Sequence, residues 1–499
     1  MKKYIAALDQ GTTSSRCIIF NHDGEIVSLS QAEHQQIFPK PGWVEHNPIE
    51  ILNSSIKVMK EAIAKKNIDI HEIAALGITN QRETCLLWNK TTGQPYGNAI
   101  VWQDMRTDVI CNQLIKTHGE EFFRKKTGLP ISPYFSATKV KWLLENDPQI
   151  ASDAAKGMVL FGTIDTWLIW NLTGGIKGGI HITDITNASR TLLYNIFSQM
   201  WDEDLLRIFG IPIQMMPEVR PSSQFYGDMI DVFDKPIAIS AALGDQQAAL
   251  FGQTAFNSGQ AKNTYGTGCF LLLNTGEKPV ISKHGLLTTI GYQIAAEPVI
   301  YCLEGSIAIT GALIQWLRDN MKIIQTASEI ESLAASVEDN GGVYFVPAFS
   351  GLFAPYWRND ARGIVAGLTR YATSGHLARA ALEATAFQTK DVLDAMYADS
   401  QVKLHSLAVD GGMVQNELLM QFQADILNIP IIRPKITETT ALGAAYAAGL
   451  AMDFWKNTFE LSEKWKKDVQ WNPKMDETTR QKYYGEWKKA IDHSLHWVS

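Results

Sequence analysis

Cysteine is scarce in this chain and never paired in sequence. The five cysteines, Cys17, Cys85, Cys111, Cys269 and Cys302, are scattered, odd in number and nowhere spaced as C-x-x-C. That argues against a zinc site and a disulfide framework, and favours a reducing compartment. Long apolar runs are missing as well. The opening Tyr4-Ile-Ala-Ala-Leu8 meets Asp9 too soon to be the core of a secretion signal, and no stretch approaches a membrane-spanning length. A cytoplasmic protein without a membrane span is the expectation. Positive charge is not in excess, since 45 Lys and Arg against 52 Asp and Glu leave a net charge of −7. Nucleic acid and anionic membranes are therefore not expected partners, for want of a basic field to hold phosphate backbones. Finally, no Gly-Lys is followed by Ser or Thr, which excludes a P-loop enzyme.

What is present is a long chain of ordinary globular composition. Its 499 residues exceed the size at which one core stops growing, so two large domains are expected. Tyr4 to Leu8, Cys17 to Phe20 and Ile26-Val27 read as strands separated by Gly-containing turns, an antiparallel meander. Ile73 to Ile78 reads as a further strand and Ala137 to Leu144 as a helix. Near mid-chain the opening recurs: Lys262 to Leu273 again runs from a polar turn into an apolar strand, and the Gly-Thr pair at 11–12 returns at 266–267. This suggests an internal duplication, with a boundary near Gly252 to Gly259, hence domains 1–252 and 253–499. Leu404 to Val409 is a strand ending at Asp410-Gly-Gly412, Thr440 to Gly449 a helix of small residues suited to close packing, and the Trp-rich stretch from Glu460 onward a set of surface helices. Alternating strands and helices put the fold in the α/β class.

Phosphate can be held by glycine-bearing hairpins, whose backbone N–H groups converge and whose hydroxyls add donors. The segment Asp9-Gln-Gly-Thr12-Thr13-Ser14-Ser-Arg16 has those parts. Its glycine permits close backbone approach, and Asp9 sits at a strand end where a carboxylate can hold Mg²⁺ through water. A plain β-turn explains this segment alone equally well. Asp245 after a second apolar strand, Gly266-Thr267-Gly268 and Asp410-Gly-Gly412 shift the balance toward nucleotide. Two acidic strand ends with two Gly-Thr hairpins resemble the ATPase superfamily that holds actin, the heat-shock chaperones and hexokinase. That resemblance implies two similar ribonuclease H-like domains with nucleotide in the cleft between them.

A closer resemblance lies in Asp9 to Arg16, Pro41 to His46, Gly77 to Thr84, Ala99 to Gln103, Phe161 to Asp165, Asn187 to Thr191, Gly244 to Gly252 and Pro347 to Trp357. These segments are similar to those of the glycerol kinases, within the carbohydrate-kinase family that also contains xylulose and ribulose kinases. The pentulose kinases share the nucleotide motifs and lack Asn80-Gln-Arg-Glu-Thr84. The resemblance implies phosphorylation of glycerol by ATP with Mg²⁺, and a kinase for another small polyol or pentulose is the alternative. A nucleotide-driven clamp of the actin or chaperone kind needs no acceptor motif such as Asn80 to Thr84. By resemblance Asp245 is the general base, with Arg82, Glu83, Tyr134 and Gln246 on the acceptor hydroxyls and Trp102 and Phe270 as an apolar wall. Thr12, Thr13, Ser14, Arg16, Thr267, Gly311, Gln315, Gly412 and Asn416 are implied for the nucleotide, and Asp9 and Asp245 for the metal. Gly311 and Gln315, four apart, fall on one face of a helix. A homodimer or homotetramer is implied by the family alone. The stretch Tyr226 to Pro236 is acidic and lacks both the arginine of a fructose bisphosphate loop and a phosphorylatable histidine. Inhibition by fructose bisphosphate is therefore not expected, because Asp228, Asp231 and Asp234 would repel it.

Overall fold

The computed structural model describes residues 2–498. Two mixed sheets carry the architecture. The first runs in the order Ser223–Met229, Ile237–Gly244, Ile73–Asn80, Tyr4–Gln10, Ser14–Asn21, Ile26–Glu33. The second runs Leu287–Tyr292, Ile300–Ile307, Cys269–Gly276, Ala261–Tyr265, Leu407–Asp410, Ile431–Pro434, Lys467–Trp471. In each, three antiparallel strands, a meander in the first sheet, are joined on the first of them by two parallel strands, and an antiparallel strand closes that edge. In the second sheet Leu287–Tyr292, which precedes the third of these strands in the chain, is added outside it. The recurrence of Gly-Thr in the sequence is thus matched by a recurrence of topology.

Every residue of Ile73–Asn80 is buried, as expected of a central strand covered on both faces. One cover is the helix Thr439–Ala451, which has buried residues all around its circumference. It approaches so closely that a Cβ on Gly77 would lie 2.1 Å from the Ala444 carbonyl oxygen. The same helix crosses Asp245–Gly252, where a Cβ on Gly443 would lie 1.8 Å from the Ala248 oxygen and one on Gly252 2.0 Å from the Thr439 oxygen. Each of these helices follows the second parallel strand of its own sheet. Their glycines let backbone meet backbone where the two halves join.

The larger insertion lies in the first half, between Ile73–Asn80 and Ile237–Gly244. It holds a four-stranded sheet in the order Glu45–His46, Ala99–Ile100, Cys85–Asn89, Val159–Thr163, whose first strand precedes the insertion, and the helix Ser136–Asn146. The expectation of surface helices beyond Glu460 needs correcting. That stretch supplies the edge strand Lys467–Trp471 and the helix Glu477–His493. Trp487 of this helix is fully buried, stacked on Phe387 at 5.2 Å and donating through Nε1 to Asp391 at 2.8 Å. Tryptophan on an amphipathic helix goes to the core when its N–H finds a buried acceptor.

Candidate active site

The parallel strands of both sheets end on a common region. Asp9 lies near the end of the first strand, Asn80 ends the second with Arg82 just past it, Asp245 lies past the third, and Thr264 and Asp410 lie at the corresponding ends of the second sheet. Ligands of open α/β sheets collect at such strand ends.

Beyond Asn80 the chain turns sharply. Glu83 takes a left-handed φ of 61° and Thr84 N–H donates to the Arg82 carbonyl at 2.7 Å. A residue with a Cβ in that region carries about 1–3 kcal/mol of strain and persists where the surroundings enforce it. Here they do. Ser136 Oγ donates to the Glu83 carbonyl at 3.0 Å, Thr84 Oγ1 to Gln81 at 2.9 Å, Gln81 to Gln10 at 3.1 Å, and Asn80 and Asn187 exchange hydrogen bonds at 3.0 Å.

The turn aims Arg82 and Glu83 inward. Their side chains are 2% and 1% exposed, so this is no solvated surface pair. Arg82 Nη1 and Nη2 meet both oxygens of Glu304 at 2.5 and 2.9 Å, and Nε lies 3.2 Å from Asp245 Oδ1. Arg190 Nε donates to Glu83 at 2.6 Å and Nη2 to Glu304 at 3.2 Å. Burial pushes the Glu83 carboxyl up against the pull of Arg190 and Arg82. At Glu304, burial acts in the same direction but the two guanidiniums outweigh it and hold the carboxyl at about 2. The Phe270 ring lies 5.9 Å from the Arg82 guanidinium, and Tyr134 packs edge-on against Trp102 at 5.5 Å. Arg190 sits 5.9 Å from the Tyr134 ring. Gln246, the residue after Asp245, accepts from Lys262.

Thr12, Thr13 and Ser14 sit on the first hairpin, closed by Gly11 N–H to Ser14 O at 2.9 Å. Trp102 Nε1 donates to Thr12 Oγ1 at 3.0 Å, which brings the apolar wall and the hairpin together. Arg16 spans Asp9 at 3.0 Å and Glu438 at 2.8 Å. Burial pushes the Asp9 carboxyl up to about 6, opposed by Arg16 and reinforced by Asp245 and Glu438. Thr267, Gly311, Gln315, Gly412 and Asn416 line a separate cavity of about 470 Å³. Asn416 caps the helix Glu417–Leu427 by accepting from Leu419 N–H at 2.8 Å, so a positive helix terminus opens there. At Gly412 a Cβ would meet nothing within 4 Å.

Four buried groups near the site had no role in the sequence reading. Arg190 and Glu304 complete the charge network. Lys262 donates to Gln246, to Thr264 at 2.9 Å and to the Phe270 carbonyl at 3.3 Å. Burial lowers its amine to about 8, with Asp410 and Asp245 opposing. Lys139 holds the carbonyls of Pro133, Tyr134 and Phe135 at 2.8, 2.7 and 3.2 Å. The available signal was a lone charge inside an apolar strand, as in Tyr301-Cys-Leu-Glu304.

The model of the FGGY family of carbohydrate kinases matches with its N-terminal domain at residues 4–252 and its C-terminal domain at 261–452. The chain belongs to the FGGY family of carbohydrate kinases. Among FGGY relatives, a glycerol kinase of Roseiflexus sp. is 58% identical over 498 residues, covering 100% of both chains. One of Renibacterium salmoninarum is 59% identical over 499 residues, covering 100% of this chain and 99% of that one. A crystal structure of Plasmodium falciparum glycerol kinase with ADP superposes with a TM-score of 0.94 at 41% identity, covering 99% and 98% of the two chains. A xylulose kinase from Lactobacillus acidophilus shares the fold, with a TM-score of 0.89 at 23% identity over 98% of each chain. The two-domain α/β architecture is that of FGGY kinases. Among the described residues no helix is long and apolar enough to cross a membrane.

Proposed function

We propose that this FGGY kinase transfers the γ-phosphoryl group of ATP to glycerol, giving sn-glycerol 3-phosphate and ADP. The observation that carries the reading is the meeting of Arg82 with Asp245 at 3.2 Å, beside a wall whose Trp102 is bonded to the hairpin residue Thr12 at 3.0 Å. Acceptor and phosphate sites therefore adjoin. Full-length relatives named glycerol kinases at 58–59% identity support glycerol as the acceptor.

In this reading Arg82, Glu83, Tyr134 and Gln246 pair the hydroxyls of the triol, and Trp102 and Phe270 cover its carbons. A buried site built this way rejects analogues that lack a hydroxyl, because its own polar groups are then unpaired. Asp245, whose side chain is 30% exposed beside the buried Arg82, takes the proton of the attacking hydroxyl as its oxygen bonds to the γ-phosphorus and the bond to the β-γ bridging oxygen breaks. Thr12, Thr13, Ser14, Arg16 and Thr267 supply donors to the phosphates, and Gly311, Gln315, Gly412 and Asn416 shape the nucleoside cavity. Positioning and electrostatics supply most of the rate of such a transfer.

The residues present also suit Mg²⁺. Asp9 is buried, and burial pushes its carboxyl up, opposed by Arg16 and reinforced by Asp245 and Glu438; a divalent cation beside it would favour the charged carboxylate. Among the described residues no three His, Cys, Asp or Glu groups gather as ligands. Mg²⁺ commonly keeps waters and takes one or two carboxylates plus substrate phosphates, here Asp9 and Asp245. Bound there, the ion would neutralise charge on the phosphate oxygens. The domain division at 252/253, a cytoplasmic location and a homodimeric or homotetrameric state belong to the same proposal.

An acceptor panel in a coupled ADP assay tests it, comparing glycerol, dihydroxyacetone and pentuloses. Glycerol is expected to give the highest kcat/KM, and a pentulose exceeding it would sink the assignment.

A further inference from the structure

Two buried ionic groups lie one step behind the proposed acceptor contacts. We propose that Glu304 and Arg190 are positioning residues that fix Arg82 and Glu83 in the geometry the acceptor requires, so that the second half of the chain helps set acceptor affinity. This rests on the assignment of Arg82 and Glu83 to the acceptor.

Glu304 belongs to Ile300–Ile307 of the second sheet, whereas Arg82, Glu83 and Arg190 belong to the first half. Its two oxygens engage both Nη atoms of Arg82, at 2.5 and 2.9 Å. A bidentate carboxylate fixes the plane of a guanidinium as well as its place. With the Nη edge held, the Nε edge of Arg82 faces Asp245 at 3.2 Å. Rotation of Arg82 would turn that edge away from the base.

Arg190 does for Glu83 what Glu304 does for Arg82. Its Nε holds one Glu83 oxygen at 2.6 Å, and its Nη2 holds Glu304 at 3.2 Å. The four groups form a closed set of two positive and two negative charges, with every side chain no more than 2% exposed. Buried ion pairs contribute little net stability compared with well-packed apolar side chains. Their presence behind strained Glu83 is better explained by orientation. The set also spans the two halves, so acceptor affinity depends on their relative placement.

The test uses the full chain and compares wild type with Glu304→Gln, Arg190→Lys and the double variant Glu304→Gln/Arg190→Gln, measuring KM for glycerol, KM for ATP, kcat and Tm. Positioning predicts that Glu304→Gln raises the glycerol KM at least tenfold while the ATP KM moves less than twofold. The double variant restores the buried charge balance, so its Tm should recover relative to Glu304→Gln while the glycerol KM stays raised. A glycerol KM that recovers along with Tm would show a purely structural role and overturn the proposal, as would equal rises in both KM values. Should Glu304→Gln not fold, Arg190→Lys keeps the charge but loses the fork. A severalfold rise in glycerol KM with little change in Tm then supports the proposal, and an unchanged KM overturns it. Wild-type turnover separates the two failures: no glycerol-dependent ADP formation overturns the acceptor reading itself, whereas normal turnover with unaffected variants overturns only the positioning.

Discussion

The two halves share a strand order and a Gly-Thr hairpin, yet they are equipped differently at matching places. In the first hairpin the residue two before the glycine is Asp9; in the second it is Thr264. Five residues past the glycine stands Arg16 in one and Leu271 in the other. After the first parallel strand beyond the meander, one half places the charged turn Arg82-Glu83 and the other places Asp410-Gly411-Gly412. At these matching places the first half presents side-chain charge and the second presents backbone around a cavity, although the second sheet also sends Glu304 and Lys262 into the charge network. On the proposed assignment, two similar scaffolds divide chemistry from nucleotide holding. The reason is physical: a triol and a reacting phosphorus need oriented charges, while a nucleoside needs room and a few backbone or amide contacts.

The largest test of that division is Asp245→Asn. The change keeps shape and removes the base, so kcat should fall by about 10²–10⁴-fold with glycerol binding, read by calorimetry, little altered. Near-normal kcat would remove catalysis from the first half. Next comes Arg82→Ala, expected to raise the glycerol KM by roughly 100-fold or more, since it strips a partner from buried Glu304 and Glu83. ATP affinity should hold, and if ATP affinity fell instead, the division between halves would be wrong. A smaller effect belongs to Lys262, the one buried cation that the second sheet sends toward Gln246 and that Asp410, Asp245, Glu304 and Arg82 surround. Its amine loses its proton near pH 8, so the charged donor is present below that pH and lost above it. The glycerol KM should therefore rise on the alkaline side with a midpoint near 8, and Lys262→Arg should move that limb upward by more than one pH unit; an unmoved limb assigns it elsewhere. Smallest is a pair of glycine substitutions. Gly443→Ala drives a Cβ into the Ala248 carbonyl and should cost about 1–3 kcal/mol in a melting experiment. Gly412→Ala enters open space and should leave Tm unchanged, altering nucleotide affinity only.

Much of this was legible in the sequence. The opening meander, the recurring Gly-Thr hairpin and the small-residue helix rest on local signals, turn glycines and apolar runs, that survive into the structure. The motif Asn80 to Thr84 was visible as a pattern, and its place just past an apolar strand pointed to a cleft, although an Arg-Glu dipeptide is ordinarily a solvated pair; what the sequence did not show is which charges it meets there. Trp487 was misread for a related reason: its burial depends on Asp391, far away in sequence. Arg190 and Glu304 carried no local sign of their partners.

By itself the sequence determined the strands, their turns, the family and the kinds of residue available for phosphate, metal and acceptor, since these depend on neighbours along the chain. Only the tertiary structure decided which charges face one another. Glu304 meets Arg82 across 222 positions, and such a pairing follows from how two sheets are set against each other, a property no segment contains.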